Sequence, residues 1–256
     1  VFLALTSAVA APGTSTTALG LALCAPTEHA LYVEADPCGG SFLHSRYFRA
    51  AISRRKSIVR LAEAADTGKL AEKVREQTEP VPHTGVHALT GLWTTRQAMV
   101  MRTVWGPLGG YLAEVAEAGV PVVADLGRYG HRYSATDLMV QADVVAVVTR
   151  ATLPELTILA GVLPELRRDL ESCGSAAELG VILVGSAYPP AEVRHALQVD
   201  VLATLPDDPR HAAVFSEGVT LSRRKQARSS YLRALRDAWK ALADNHFDST
   251  TIGTAS

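Results

Sequence analysis

Apolar and polar positions alternate along this chain in blocks, and the blocks have two different periods. Five short runs, VFLAL (1–5), ALYVEA (30–35), VPVVADLG (120–127), DVVAVVT (143–149) and LGVILVG (179–185), are almost continuously Val, Leu, Ile or Ala. Runs of that length bounded by turn residues predict strands buried on both faces, as in a parallel sheet. A shorter strand is expected at DVLATLP (200–206). Between the runs, apolar residues recur at helical spacing, which predicts helices over 16–24, 58–75, 95–118, 153–173, 191–197 and 225–243. Strand and helix in alternation predict an α/β fold, a doubly wound and mostly parallel sheet with helices on both faces. Linker-like composition occurs only at 78–84 and after Asn245. One domain over 1–245 with a flexible tail over 246–256 is therefore expected.

Composition changes this picture little. The chain has 256 residues, 48% hydrophobic and 20% charged, a balance that suits a folded core and excludes a disordered chain. Its formal net charge of -1 gives no overall field for nucleic acid or an acidic substrate. The three cysteines, Cys24, Cys38 and Cys173, are widely spaced without a CxxC pair, which argues against a disulfide framework or a zinc site and for a reducing cytoplasm. No apolar run reaches the ~20 residues that span a bilayer. The eight histidines have no metal-binding spacing, and His29, His44 and His131 are expected at the surface or in caps.

The opening stretch, VFLALTSAVAAPGTSTTALGLAL, has two readings. As a secretory signal it lacks the basic n-region, since no Lys or Arg precedes Arg46. As a buried strand, a turn at Pro12-Gly13 and a helix opening on Ser/Thr, it has the layout of a phosphate-binding loop. The second reading is preferred, with residues 1–10 buried as the central strand and retained in the mature protein. Ligands on such a sheet bind beyond the carboxyl ends of the strands, so the turns after Leu5, Ala35, Leu126 and Thr149 carry the interest.

The first of these turns places Gly13, Ser15 and Thr16 where a phosphate loop has its last glycine and its hydroxyls, but Thr14 stands in the lysine's place. The helix N-terminus still offers its dipole and free N–H groups. A strand, turn and helix with a Ser/Thr cap and no ligand would look the same here. The second turn, EADP, brings Glu34 and Asp36 to a strand end; an NAD-type fold also places an acid near here, yet the G-x-G-x-x-G that fold requires is absent. In the third, VVADLG ends an apolar strand on Asp125, the position of a carboxylate that holds Mg²⁺ or its water in nucleotide-hydrolysing enzymes.

Taken in order, VAAPGTST (9–16), EADP (34–37), VVADLG (122–127), ADVVAVVTRATLPEL (142–156) and PDDPRHAAVFSEG (206–218) resemble the motifs of the ParA/MinD family of deviant P-loop ATPases. The resemblance runs from residue 1 to about 243 and comes closest to the actinobacterial-type MinD-like proteins. It implies ATP and Mg²⁺ held by Gly13, Thr14, Ser15 and Thr16, with Ser15 and Asp125 at the metal and Asp36 and Asp125 ordering metal and water for catalysis. It also implies a nucleotide-dependent homodimer or a protein partner, and a role as a partitioning, positioning or regulatory switch. Contact with DNA or a membrane is a weaker implication.

The chain departs from the family pattern at several positions. Val9 stands for the family's signature lysine, Thr14 for the Walker lysine and Glu34 for the first aspartate of D-x-D-P, and GSAYPP (185–190) lacks an evident adenine-reading Asn. Negligible hydrolysis is expected as a result, with Arg128 the first residue to test as a substitute charge. A pseudo-ATPase scaffold working only through protein contacts is the alternative. The terminal stripe of Leu232, Leu235, Trp239 and Leu242 opposes Arg228, Arg233, Arg236 and Lys240, and is expected to pack on the core with the basic face in solvent. The cluster SRRKSIVR (53–60) reads as a solvated helix start.

Overall fold

The computed structural model describes residues 1–51, 55–65, 67–185, 187–219 and 222–252, without side chains for 223 and 243–252. The strands are β1 (Phe2–Ser7), β2 (Ala30–Glu34), β3 (Thr78–Pro80), β4 (Val86–Leu89), β5 (Val122–Arg128), β6 (Val144–Arg150), β7 (Glu178–Val184) and β8 (Asp200–Leu205). They form one sheet in the order β3-β4-β2-β5-β1-β6-β7-β8, parallel throughout except for the antiparallel β3 edge. The helices are α1 (Thr14–Leu23), α2 (Leu70–Gln77), α3 (Thr95–Ala98), α4 (Trp105–Glu117), α5 (Thr136–Val140), α6 (Leu153–Ser172), α7 (Pro190–Leu197), α8 (Pro209–Ser216), α9 (Arg223–Arg228) and α10 (Ser230–Ile252). The chain is thus a three-layer α/β sandwich.

The continuous apolar runs are explained by where their strands lie. All six residues of β1 are buried, and alternate side chains enter opposite layers: Phe2 and Ala4 join the core beneath α4 and α6, while Leu3 and Leu5 join the core beneath α1 and α10. Central placement between β5 and β6 makes β1 the strand on which connections diverge to either side, so its carboxyl end opens at the crevice. The expected central strand is present but ends at Ser7, with Ala8 and Val9 half-buried and Ala10 exposed, because the chain turns there into the loop before α1.

Four expectations are corrected. The stretch 78–84 is no linker: β3 and β4 lie within or beside it, with Thr78 opposite Leu89. The helix expected over 58–75 breaks into a 3₁₀ turn (Ile58–Glu63) and α2, and Gly68 at φ 71 lies between them. The helix over 95–118 divides into α3, a 3₁₀ turn (Val100–Thr103) and α4, where Gly106-Pro107 begins a fresh helix. His44 is not a surface residue but wholly buried, its ring 4.6 Å from that of Trp93 and its Nδ1 3.1 Å from Ser41 Oγ.

At the other end of the chain, helix resumes after Ser229, and α10 runs to Ile252 with no break at 245; residues 253–256 lie outside the described residues. Leu232, Leu235, Trp239 and Leu242 are buried against α1 and β8, and Trp239 Nε1 donates to the Leu21 carbonyl. Arg228, Arg233, Arg236 and Lys240 face solvent. Of SRRKSIVR, residues 53 and 54 lie outside the described residues; Ser57 caps the 3₁₀ turn by accepting from the Val59 N–H. Among the described residues no helix is long and apolar enough to cross a membrane.

Candidate functional site

The loop between β1 and α1 forms one wall of a cleft of about 690 Å³ at the carboxyl ends of the central strands. Gly13 caps α1 at φ 106, a backbone state that L residues rarely adopt, and no atom lies within 4 Å of where a Cβ would stand. The first bond of the helix runs from the Thr17 N–H to the Gly13 carbonyl at 2.8 Å. The N–H groups of Thr14, Ser15 and Thr16 therefore have no acceptor within α1, and no acidic residue of the first turn offsets the positive end of the dipole. All three residues line the cleft together with Gly13.

Thr14 sits where the sequence suggests a lysine is missing. Its side chain is buried, and its Oγ1 finds no hydrogen-bond partner among the described residues. A buried hydroxyl without a partner costs about 1 to 3 kcal/mol, so the position is an unfavourable one in the free protein. Val9, in the other lysine's place, is half-buried and also lines the cleft.

Asp125 and Asp36 come from neighbouring strands. Glu34 and Asp125 are register partners between β2 and β5, and the Ala35 N–H donates to the Asp125 carbonyl at 2.7 Å. Asp125 is fully buried, its carboxylate accepting from the Gly127 N–H (3.1 Å) and from Tyr32 OH (3.4 Å), with the Ser15 hydroxyl near enough to favour its charged form. Burial raises its pKa to about 6, and the nearby Asp36 charge adds to the rise against those hydrogen bonds. Asp36 is half-buried at the mouth, accepts from the Cys38 N–H at 2.8 Å and lies against Gly127, where a Cβ would come within 2.4 Å of its carboxyl carbon. The structure therefore brings Gly13, Thr14, Ser15, Thr16, Asp36 and Asp125 to one place.

Glu34 has a different part. It is buried behind the site, where its carboxylate accepts from Ser41 Oγ (2.9 Å), the Gly91 N–H (2.8 Å) and the Phe42 N–H. Burial raises its pKa to about 7 despite those donors. A carboxylate so engaged fastens the 41–47 segment to the turn at Gly91 and has no free face for a ribose hydroxyl, which removes the NAD-type reading.

The opposite wall comes from the segments at the ends of β6 and β8, which the motifs signal, and from a turn at 43–47, which they do not. Arg150 follows the β6 run and lies 2.8 Å from Asp207, in the PDDP segment. Arg46 comes from a π-helical turn (Leu43–Tyr47) and pairs with Glu217. Arg46 was not legible, because its stretch of sequence has neither period nor motif. Arg150 and Asp207 stand at strand ends, where ligand-binding residues are to be sought.

No protein-family model matches the chain, and no curated protein matches it significantly. Solved structures do. The septum site-determining protein MinD of Pyrococcus horikoshii, complexed with Mg-ADP, superposes with a TM-score of 0.70 at 17% identity, covering 94% of this chain and 95% of its own. An ATP complex of McdA from Cyanothece gives 0.69 at 14% identity over 94% and 96%. MinD in the MinC:MinD cell division complex of Aquifex aeolicus gives 0.63 at 15% over 95% and 96%. The chain has the ParA/MinD-like fold, a P-loop NTPase-type sandwich, over nearly its whole length.

Proposed function

We propose that this protein is a nucleotide-binding switch of ParA/MinD type that binds ATP with Mg²⁺ and hydrolyses it negligibly. The observation that carries this reading is the convergence, at one cleft, of three N–H groups at a helix N-terminus with the Ser15 hydroxyl and Asp36, and with Asp125 buried beside them. Binding of Mg-ADP or ATP by similarly folded proteins supports it. The residues fit the ligand's polyphosphate: backbone N–H groups and the dipole face anionic oxygens. Among the described residues no group of three or more His, Cys, Asp or Glu side chains could hold a metal ion by itself. A Mg²⁺ would thus be held by Ser15, with Asp125 behind it, and by phosphate oxygens and water. When bound, the metal would neutralise charge on the phosphates, while Asp36 would orient water at the mouth.

The same site accounts for the expected lack of turnover. Phosphoryl transfer depends on positioning and charge stabilisation, and neither Val9 nor Thr14 supplies charge. Losing one preorganised donor lowers a rate by about a hundred- to a thousandfold. Calorimetric titration with ATP and Mg²⁺ tests the reading: saturable, Mg²⁺-dependent binding that Asp125→Asn weakens is expected, and absence of binding overturns it. The second reading, a scaffold that works through protein contacts alone, is favoured by the same two positions; it predicts no nucleotide binding but retained partner binding. We place the protein in the cytoplasm, in keeping with its three free cysteines, and infer that it pairs with a second copy or another protein, as MinD does with MinC in the Aquifex complex.

A further inference from the structure

Three arginines line the cleft, and they differ in what neutralises them. Arg46 pairs with Glu217, and Arg150 lies 2.8 Å from Asp207 with Glu155 at 4.0 Å. Arg128 is exposed and forms no ion pair among the described residues. It lies near the Cys38 thiol, which burial and the adjacent Asp36 push up and Arg128, to a lesser degree, pulls down. Arg128 itself lines the cleft at the end of β5, as Asp36 and Cys38 do beyond the end of the neighbouring β2.

The backbone that carries Arg128 is fastened to the root of the phosphate loop. Arg128 is the register partner of Ser7, the last residue of β1. On one side of it the Thr6 hydroxyl donates to the Gly127 carbonyl at 3.0 Å; on the other the Tyr129 N–H donates to the Ser7 carbonyl at 2.9 Å. From Ser7 the chain runs directly into the loop that ends at Gly13. The root of the loop and the backbone of Arg128 are thus held together, the loop presenting N–H groups without a cation and the arginine, among the described residues, forming no ion pair.

We infer that Arg128 is the cation that binds the phosphates of the ligand, supplying from the end of β5 the charge that no side chain of the loop provides. That the ligand is a nucleoside di- or triphosphate rests on the proposed function; that it carries a polyphosphate follows from Arg128 and the free N–H groups together. A planar guanidinium can take two phosphate oxygens in a parallel fork, a geometry that a lysine's point charge does not impose. Arg128 is a binding residue here, and its position at the rim makes it no replacement for a lysine buried in the loop.

The test is calorimetric titration of the unmodified protein, Arg128→Ala and Arg128→Lys with Mg-ATP and, separately, with inorganic tripolyphosphate. The side chain is exposed, so unchanged melting temperatures would identify any loss of binding as local. Arg128→Ala is expected to weaken both ligands by about ten- to a hundredfold, and Arg128→Lys to recover part of the loss. The salt dependence of binding should also become shallower in Arg128→Ala. If Arg128→Ala binds both ligands as tightly as the unmodified protein, the inference fails while the nucleotide reading stands. If tripolyphosphate binds through Arg128 but ATP does not bind, the inference stands and the nucleotide reading fails. Binding of neither ligand to the unmodified protein refutes both.

Discussion

Two buried carboxylates give the site a dependence on pH whose sign can be worked out. Glu34 has its pKa raised to about 7 and Asp125 to about 6, each chiefly by burial. Between the ordinary carboxylate range and these values the folded protein binds more protons than the unfolded chain, so stability falls as pH rises through that window and levels off above pH 7. The melting temperature should accordingly decline from pH 5 to 7. Glu34→Gln should flatten the upper part of that decline, whatever its effect on absolute stability; an unaltered slope would show that Glu34 is ionised throughout. Gly127→Ala is a second case at this scale. Its Cβ would meet the Asp36 carboxylate at 2.4 Å on a backbone at φ 65, so a cost of about 1 to 3 kcal/mol is expected in chemical denaturation. Mg²⁺-dependent nucleotide binding should weaken with it. Gly13, Asp36 and Asp125 were legible because each ends or follows an apolar run at a turn. The engagement of Glu34 was not, because its donors at Ser41 and Gly91 come from separate segments that only the fold brings together.

Elements obeyed the periodic pattern where burial is one-sided or complete, and broke from it where a local residue intervened. The five long apolar runs became strands because both layers cover them. The helices over 58–75 and 95–118 were each expected as one and formed in pieces, interrupted at Gly68 and before Gly106-Pro107. The pair β3 and β4 was hidden by Pro82 and Gly85, and β4 at four residues is too short for alternation to register. The last helix was legible because its apolar stripe is regular. It packs closely: Leu235 lies where a Cβ on Gly20 of α1 would come within 2.9 Å, and Trp239 both fills the interface and donates to α1. Trp239→Ala should cost about 3 to 5 kcal/mol, read as a shift in the denaturation midpoint at constant slope. A variant stable to within about 1 kcal/mol would mean that α10 is not held by this contact. Lys240→Ala, on the solvent face, should change stability by no more than about 0.5 kcal/mol.

At the scale of the whole molecule, strand order places the end of β1 at the crevice, and the two positions where the loop that follows lacks a lysine, Val9 and Thr14, both line it. The sandwich extends over nearly the full length of its structural neighbours, so the two substituted positions are where the proposed function is best tested. Thr14→Lys places an ammonium where a buried hydroxyl now has no partner. It should tighten ATP binding by about ten- to a hundredfold, since one charge-assisted hydrogen bond contributes about 1.5 to 3 kcal/mol. The added side chain must enter a site that is 6% exposed in the free protein, so its benefit should appear with ligand bound and its cost in the melting temperature without it. Val9 lines the cleft and is half-buried. Val9→Lys alone should change little; added to Thr14→Lys, it should produce an ATP-dependent dimer, visible as a shift in molar mass by light scattering. A monomer under saturating ATP would show that the face around the cleft has diverged as well as the lysines. Turnover by the unmodified protein, measured as phosphate release, should stay at background, and restoring it should require both substitutions because positioning and charge act together in the transition state.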